Sequence, residues 1–422
     1  MLKFRAPILV QWELTSQCNK KCIHCYNYWR AFDDNKYGIQ KKIADRDSIV
    51  DRIIESHVFS VIITGGEPLL IQNEMINYIR RLRENNISVS INSNLSLLTN
   101  DTIIALKEME IESILTSFPT YFQERDAMIT NSQTGFKGTI DGILLAQEYG
   151  IKVIPNMVIS KVNMNDIYET VSMIRNLGIN RMSFNFMIPP KNNRYAKSIA
   201  LSTIEINKAI DALFLASEQF QVKISSVENY PFCICDDMNK LRRLGMIRGC
   251  GEGKNYCVID EQGNIRSCII TDKVVSMDLA DAWKVICGQK YSQLPIECMD
   301  CKYVKLCAGG CRFAKDWRNF SLKNHWVNEM VFGEKTMEVN ETCLFRFWSN
   351  LKYREEDKGG IIFRSNQNYI YIDQRSYKFF LKHKCTVFST DQFWKECGFV
   401  RQDALIILKL LMQKKILERI QL

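Results

Sequence analysis

Three cysteines, Cys18, Cys22 and Cys25, stand together in the run CNKKCIHC. With three and then two residues between them, one tight loop can wrap their thiolates around three corners of a four-iron, four-sulfur cluster. The fourth iron then has no protein ligand, and an open iron is what a bound amino acid needs in order to chelate. Electron transfer from such a cluster into a bound sulfonium is the chemistry this loop invites. The same thiols closed by His24 or a distant residue would make a zinc site, an alternative that spacing alone leaves open.

A second motif, GGEP, occupies Gly65 to Pro68. Its two glycines permit close backbone approach to a ligand, and Pro68 can open a helix without wasting a donor. Alone it would read as a strand-to-helix turn. Together, CxxxCxxC after one strand and GGEP after the next resemble the radical S-adenosylmethionine (SAM) superfamily, over roughly residues 8 to 190. The resemblance implies that Cys18, Cys22 and Cys25 hold the SAM-cleaving cluster. It also implies that the methionine amine of SAM lies against Gly65, Gly66 and Glu67, next to Pro68. Asn92, Ser93, Ser117 and Asn156 stand where the superfamily contacts the SAM carboxylate, ribose or adenine, although Ser and Asn also cap helices. His24 fills the position before the third cysteine, which is often aromatic in the superfamily.

A second cysteine region follows far downstream. The run Cys298-x2-Cys301-x5-Cys307-x3-Cys311 would by itself also suit a zinc ribbon. The whole pattern adds Cys250-x12-Gly263-x4-Cys268 before it and Cys343 after it, and resembles the seven-cysteine signature of SPASM domains. That resemblance assigns Cys250, Cys257, Cys268 and Cys311 to a first auxiliary 4Fe-4S cluster, and Cys298, Cys301, Cys307 and Cys343 to a second. Full ligation of both implies electron transfer or structure rather than substrate binding. Cys233, Cys235, Cys287, Cys385 and Cys397 remain and read as small hydrophobes. Of these, Cys233-x-Cys235 falls near the expected mouth of the barrel.

The elements that must position these groups are legible as period. Short apolar runs, ILVQWEL, VFSVIIT, ISVSIN, ESILTSF, IKVIPNMVI and RMSFNFM, read as strands and alternate with amphipathic helical stretches. Six such units predict an α/β fold, a partial (β/α)6 TIM-like barrel over 1–225, with its chemistry at the C-terminal strand ends. Residues 226–350 are expected to form a Cys-rich iron-sulfur domain that needs metal to fold. Residues 351–422, with NYIYID and three helical stretches, predict a small winged-helix-like domain.

Composition narrows the function. Sixteen cysteines in a 422-residue chain are too dilute for a secreted disulfide scaffold, and the first apolar run is broken by Gln11 and Glu13. No stretch approaches the roughly 18 apolar residues of a membrane span, so the expected place is the cytoplasm, where thiolates stay reduced. The net charge of +9 is modest for the size and spread out.

SPASM enzymes mostly modify ribosomally made peptides or proteins, which makes a peptide maturase the leading expectation. It would form a cross-link or another C–H modification, drawing electrons from a donor such as flavodoxin or ferredoxin. The last block weakly resembles leader-recognition elements, in which a precursor peptide adds along a strand edge, here Asn368 to Asp373. From residue 351 on there are 14 Lys and Arg against 8 Asp and Glu, which favours an acidic leader or makes a solvated basic face. The helical stretch from Asp403 to Met412 is mostly apolar, which argues against DNA. The alternatives are a radical dehydrogenase of a small polar metabolite, a formylglycine maturase and a non-catalytic iron-sulfur scaffold. Ile269 stands where the formylglycine branch places an Asp, and GGEP argues against the scaffold.

Overall fold

The computed structural model describes residues 4–27, 45–189, 194–288, 294–324, 339 and 343–420. The apolar runs of the first half form six strands: β1 (Leu9–Thr15), β2 (Ser60–Gly65), β3 (Ser88–Ser93), β4 (Ser113–Ser117), β5 (Val153–Ile159) and β6 (Arg181–Phe186). They pair in parallel and in sequence order. Helices such as Arg46–Glu55, Asn100–Glu108 and Thr203–Phe220 connect or follow them. Each of these three starts on a side-chain cap, Asp45, Thr99 or Ser202, and Glu205 completes a capping box with Ser202.

The sheet is larger than the six strands expected. β7 (Lys223–Ser226) adds in parallel beside β6, and β8 (Tyr256–Ile259) adds in parallel beside β1. β9 (Ile265–Arg266) and β10 (Val274–Ser276) extend it in antiparallel sense, giving ten strands in the order β10-β9-β8-β1-β2-β3-β4-β5-β6-β7. At four residues, β7 and β8 are too short to carry a period of their own, which is why sequence pattern passes over them. The start of the Cys-rich stretch is therefore built into the barrel sheet.

Parallel partners share a face, so the register sorts the side chains. On the helix side Val10, Trp12, Val61, Ile63, Val89 and Ile91 are buried in one continuous core. Each such side chain contributes about 1.5–3 kcal/mol relative to exposure. On the inner face the pairing Gln11↔Ile62↔Ser90 begins a stripe that continues through Glu13↔Thr64, Asn92↔Leu115, Ser117↔Asn156 and Asn156↔Ser183. The sheet thus presents a mostly polar interior to the site.

The last block holds β11 (Leu344–Phe347), β12 (Lys352–Glu356), β13 (Gly359–Ser365), β14 (Asn368–Asp373), β15 (Phe388–Ser389) and β16 (Leu417–Ile420). Strands β12-β13-β14 make one antiparallel sheet and β15-β11-β16 another, packed with helices Gln374–His383, Thr390–Cys397 and Arg401–Gln413 around their own aromatic core. The block docks on the barrel at the N-terminal ends of β1 and β2. There Phe363 stacks on Phe59 at 4.8 Å, and Ile361 joins Ile8. Arg354 donates to the carbonyls of Ala6, Pro7 and His57. The cysteine loop and GGEP lie at the opposite end.

Lys352 crosses the same seam and donates to Ser88 Oγ at 2.6 Å and to the Phe59 carbonyl at 3.3 Å. Burial, aided by Arg83, pushes its pKa down from near 10.5 to about 8. Between those values the unfolded chain binds the proton that the folded chain has released, so stability rises with pH across this window. Denaturant midpoints of wild type minus Lys352→Met are expected to widen from pH 8 to pH 10.5; a difference that stays flat would refute the linkage.

Candidate active site and thiol clusters

β1 delivers the loop of Cys18, Cys22 and Cys25, and each of the three thiols is partly exposed. The loop is fastened on two sides. Lys21 and Ile23 donate their backbone N–H to Thr130 and Ile129 at 3.0 and 2.9 Å. Asn19 donates to Ser96 Oγ and accepts from Asn94 Nδ2, both at 2.9 Å. Lys20 is buried, its Nζ donating to Thr139 Oγ1 at 3.0 Å, while its own N–H reaches Cys18 Sγ at 3.4 Å. Beside it the His24 ring is buried too. Burial first, and the Lys20 charge second, pull its pKa down to about 4, so the ring is neutral.

GGEP closes β2 against this loop. Gly66 N–H donates to the Thr15 carbonyl at 2.6 Å and Glu67 N–H to that of Gln17 at 2.7 Å. The Glu67 carboxylate accepts from Ser93 Oγ (2.6 Å), Asn94 N–H (2.8 Å) and Leu69 N–H (3.1 Å). Burial raises its pKa, and these donors oppose the rise. The motif therefore ties three loops together, and its two N–H groups at Gly66 and Glu67 are already committed. Pro68 opens a 3-10 turn, Pro68–Ile71, as expected of a proline there.

Gly65 has φ of +127°, and a Cβ there would stand 2.4 Å from the Thr15 carbonyl. Gly65→Ala is expected to cost about 2–3 kcal/mol, because strain and clash fall on backbone atoms that cannot rotate away. Thermal melts, with iron retained by the loop as a second readout, would check this; a wild-type melt would refute it.

The four other expected SAM contacts divide by face. Asn92, Ser117 and Asn156 stand on the inner stripe, and Asn156 is linked to Ser183 and Asn185 at 2.9 Å each. Ser93 belongs to the other face, and its hydroxyl is engaged by Glu67 and by Leu95 N–H. It positions Glu67 rather than facing the interior.

The downstream thiols form two groups. Cys250, Cys268 and Cys311 come together around the half-buried Glu228: burial raises each thiol, and Glu228 adds to each rise. Tyr256 OH donates to Cys268 Sγ at 3.5 Å. Cys257 departs from the set expected of it. It follows Tyr256 on β8 and so points to the other face, where it pairs in register with Val10 and is fully buried in the helix-side core. Burial alone raises its thiol, with no charged neighbour contributing.

Cys298, Cys301 and Cys307 make the second group and line a cavity together with Cys233. Cys343, expected with them, does not line it and instead belongs to the aromatic core of the last block. Its carbonyl accepts from Thr390 N–H at 3.1 Å. Among the described residues no three His, Cys, Asp or Glu converge tightly enough for a single metal ion.

Sequence reading missed several groups. Glu13 and Arg266 form an ion pair buried in the barrel, and Arg266 also donates to the Thr271 carbonyl at 2.7 Å. Burial pushes the Glu13 carboxyl up to about 7, even with Arg266 pulling it down. Burial likewise pushes Glu228 up to about 7, opposed by Arg248. The one available signal was a charged residue inside an apolar strand, WEL at residues 12–14.

Residues 12–174 match the model of the radical SAM superfamily. The AdoMet-dependent heme synthase of Methanosarcina barkeri is 22% identical over 73% of this chain and 91% of its own length. The mycofactocin maturase MftC of Mycolicibacterium smegmatis is 22% identical over 74% and 79%. The crystal structure of Streptococcus suis SuiB bound to its precursor peptide SuiA superposes with a TM-score of 0.60 over 76% of each chain, at 20% identity. No helix among the described residues is long and apolar enough to cross a membrane. Residues 12–174 are thus a radical SAM domain, of a fold that binds SAM and a 4Fe-4S cluster, set in a parallel sheet like that of the SuiB structure, and this chain is an enzyme.

Proposed function

We propose that the chain is a cytoplasmic peptide maturase, and that it modifies a ribosomally made precursor at a C–H bond. When bound, the cluster and SAM supply a 5′-deoxyadenosyl radical that takes a hydrogen atom from the substrate. In this reading Cys18, Cys22 and Cys25 hold that cluster, and Glu67 holds the turn around SAM. Asn92, Ser117 and Asn156 orient SAM from the polar interior. The downstream thiol groups would hold two auxiliary clusters, which would supply electron transfer from a flavodoxin or ferredoxin. The three units are residues 1–225, 226–350 and 351–422, with the strands β8 to β10 of the second extending the sheet of the first.

One observation carries the peptide: among the described residues β14, the strand named from sequence, is an edge of the β12-β13-β14 sheet with β13 as its one strand neighbour. An extended leader adds to such an edge through main-chain hydrogen bonds. The structural neighbour SuiB, crystallised with its precursor peptide, supports the class. The heme synthase relative, matched over most of its length, favours a second reading in which the substrate is a small molecule.

The test is to reconstitute the full chain without oxygen and measure 5′-deoxyadenosine with the peptide encoded beside it and, separately, with a porphyrin. A peptide whose mass changes in step with 5′-deoxyadenosine supports the maturase. Coupling to the porphyrin alone would replace it.

A further inference from the structure

The second thiol group has a member that cysteine spacing does not nominate. Cys233 sits on the single turn Phe232–Ile234, 65 residues before Cys298, yet it shares a cavity with Cys298, Cys301 and Cys307. The adjacency is built into the backbone. Cys311 N–H donates to the Asn229 carbonyl at 2.9 Å, and Phe232 N–H donates to Cys307 Sγ at 3.4 Å. Gly310, at φ +72°, lies so close to Pro231 that a Cβ would come within 2.3 Å of its nitrogen. The turn carrying Cys233 is therefore clamped to the four-cysteine run, independently of any metal.

The donor set suits a four-iron cluster. Four thiolates neutralise four corners, backbone N–H groups aimed at sulfur stabilise the anion, and a cation at the rim offsets its charge. Here the N–H of Phe232 serves Cys307, that of Asn319 serves Cys233, and Arg318 lines the cavity while donating to the Gly309 carbonyl at 3.0 Å. Cys235, two residues on, turns away to its own neighbours Asp236 and Asp237.

We propose that Cys233 supplies the fourth thiolate of the second auxiliary cluster, completing Cys298, Cys301 and Cys307 in the place that spacing gives to Cys343. This rests on the auxiliary-cluster reading above. It leaves Cys343 as a core residue of the last block.

The experiment uses the full chain with Cys18, Cys22 and Cys25 replaced by alanine, so that only auxiliary iron remains. This parent is expected to hold about eight irons after anaerobic reconstitution, two four-iron clusters. Adding Cys233→Ala or Cys233→Ser should halve the iron or convert one cluster to a three-iron form seen by EPR. Cys235→Ala, as a neighbouring control, and Cys343→Ser should keep the parent iron count and spectrum. Parental iron and spectrum in both Cys233 variants would overturn the assignment. So would equal iron loss in Cys235→Ala, which would mark a folding effect, or loss confined to Cys343→Ser. A parent without iron would overturn the auxiliary-cluster reading itself, a result distinct from all of these.

Discussion

Alanine at Cys18, Cys22 and Cys25 together is expected to take dithionite-dependent formation of 5′-deoxyadenosine down to the protein-free blank, and to remove about four of about twelve irons. The effect is all or none because, in the proposed reading, these three thiolates hold a cluster whose fourth iron stays open. The fold should survive the change. The loop is pinned by Thr130, Ile129, Ser96 and Asn94 through backbone and amide bonds that do not involve sulfur. Anaerobic turnover with iron analysis, alongside a far-UV spectrum like that of wild type, would check both halves. Residual cleavage above the blank would mean that another thiol group binds SAM.

Breaking the Glu13–Arg266 pair should be the most damaging single change to stability. Arg266→Met leaves the Glu13 carboxylate buried without its partner and is expected to cost about 3–5 kcal/mol. The loss strikes at the joint where β9, reached through β8, joins β1, so the Cys268 loop should loosen with it. The double variant Glu13→Gln with Arg266→Met should recover a large part of that cost, since a buried pair contributes less than a buried orphan takes away. Denaturant midpoints of the four proteins in this cycle decide it. A double variant no better than Arg266→Met would show that the carbonyl contacts of Arg266 to Ile269 and Thr271, rather than the charge, carry the effect.

Much of this molecule is legible in its sequence because its chemistry is local. The six long strands announce themselves by apolar runs, and GGEP falls at the end of β2 where a strand-to-helix turn requires it. What sequence could not supply is which face a residue takes or what distant segment it meets. Ser93 sits next to Asn92 yet lies on the opposite face, bonded to Glu67. Cys257 has the expected distance from Cys250 along the chain, but alternation on β8 turns it into the core. Cys233 lacks a metal-ligand spacing of its own and is brought to its cavity by the close approach at Gly310 and two backbone N–H donors.

The seam between the last block and the barrel turns distance into a constraint on substrates. β14 belongs to a sheet that covers the strand starts, whereas the thiol loop lies past the strand ends. A barrel strand of six residues spans about 20 Å, so in the proposed reading a segment paired along β14 would have to cover at least that distance before any of its side chains reached the radical. At about 3.3 Å per extended residue, six or more residues are consumed as tether. The enzyme would then act as a ruler, ignoring susceptible residues close to the anchored segment and choosing its target by counting along the chain.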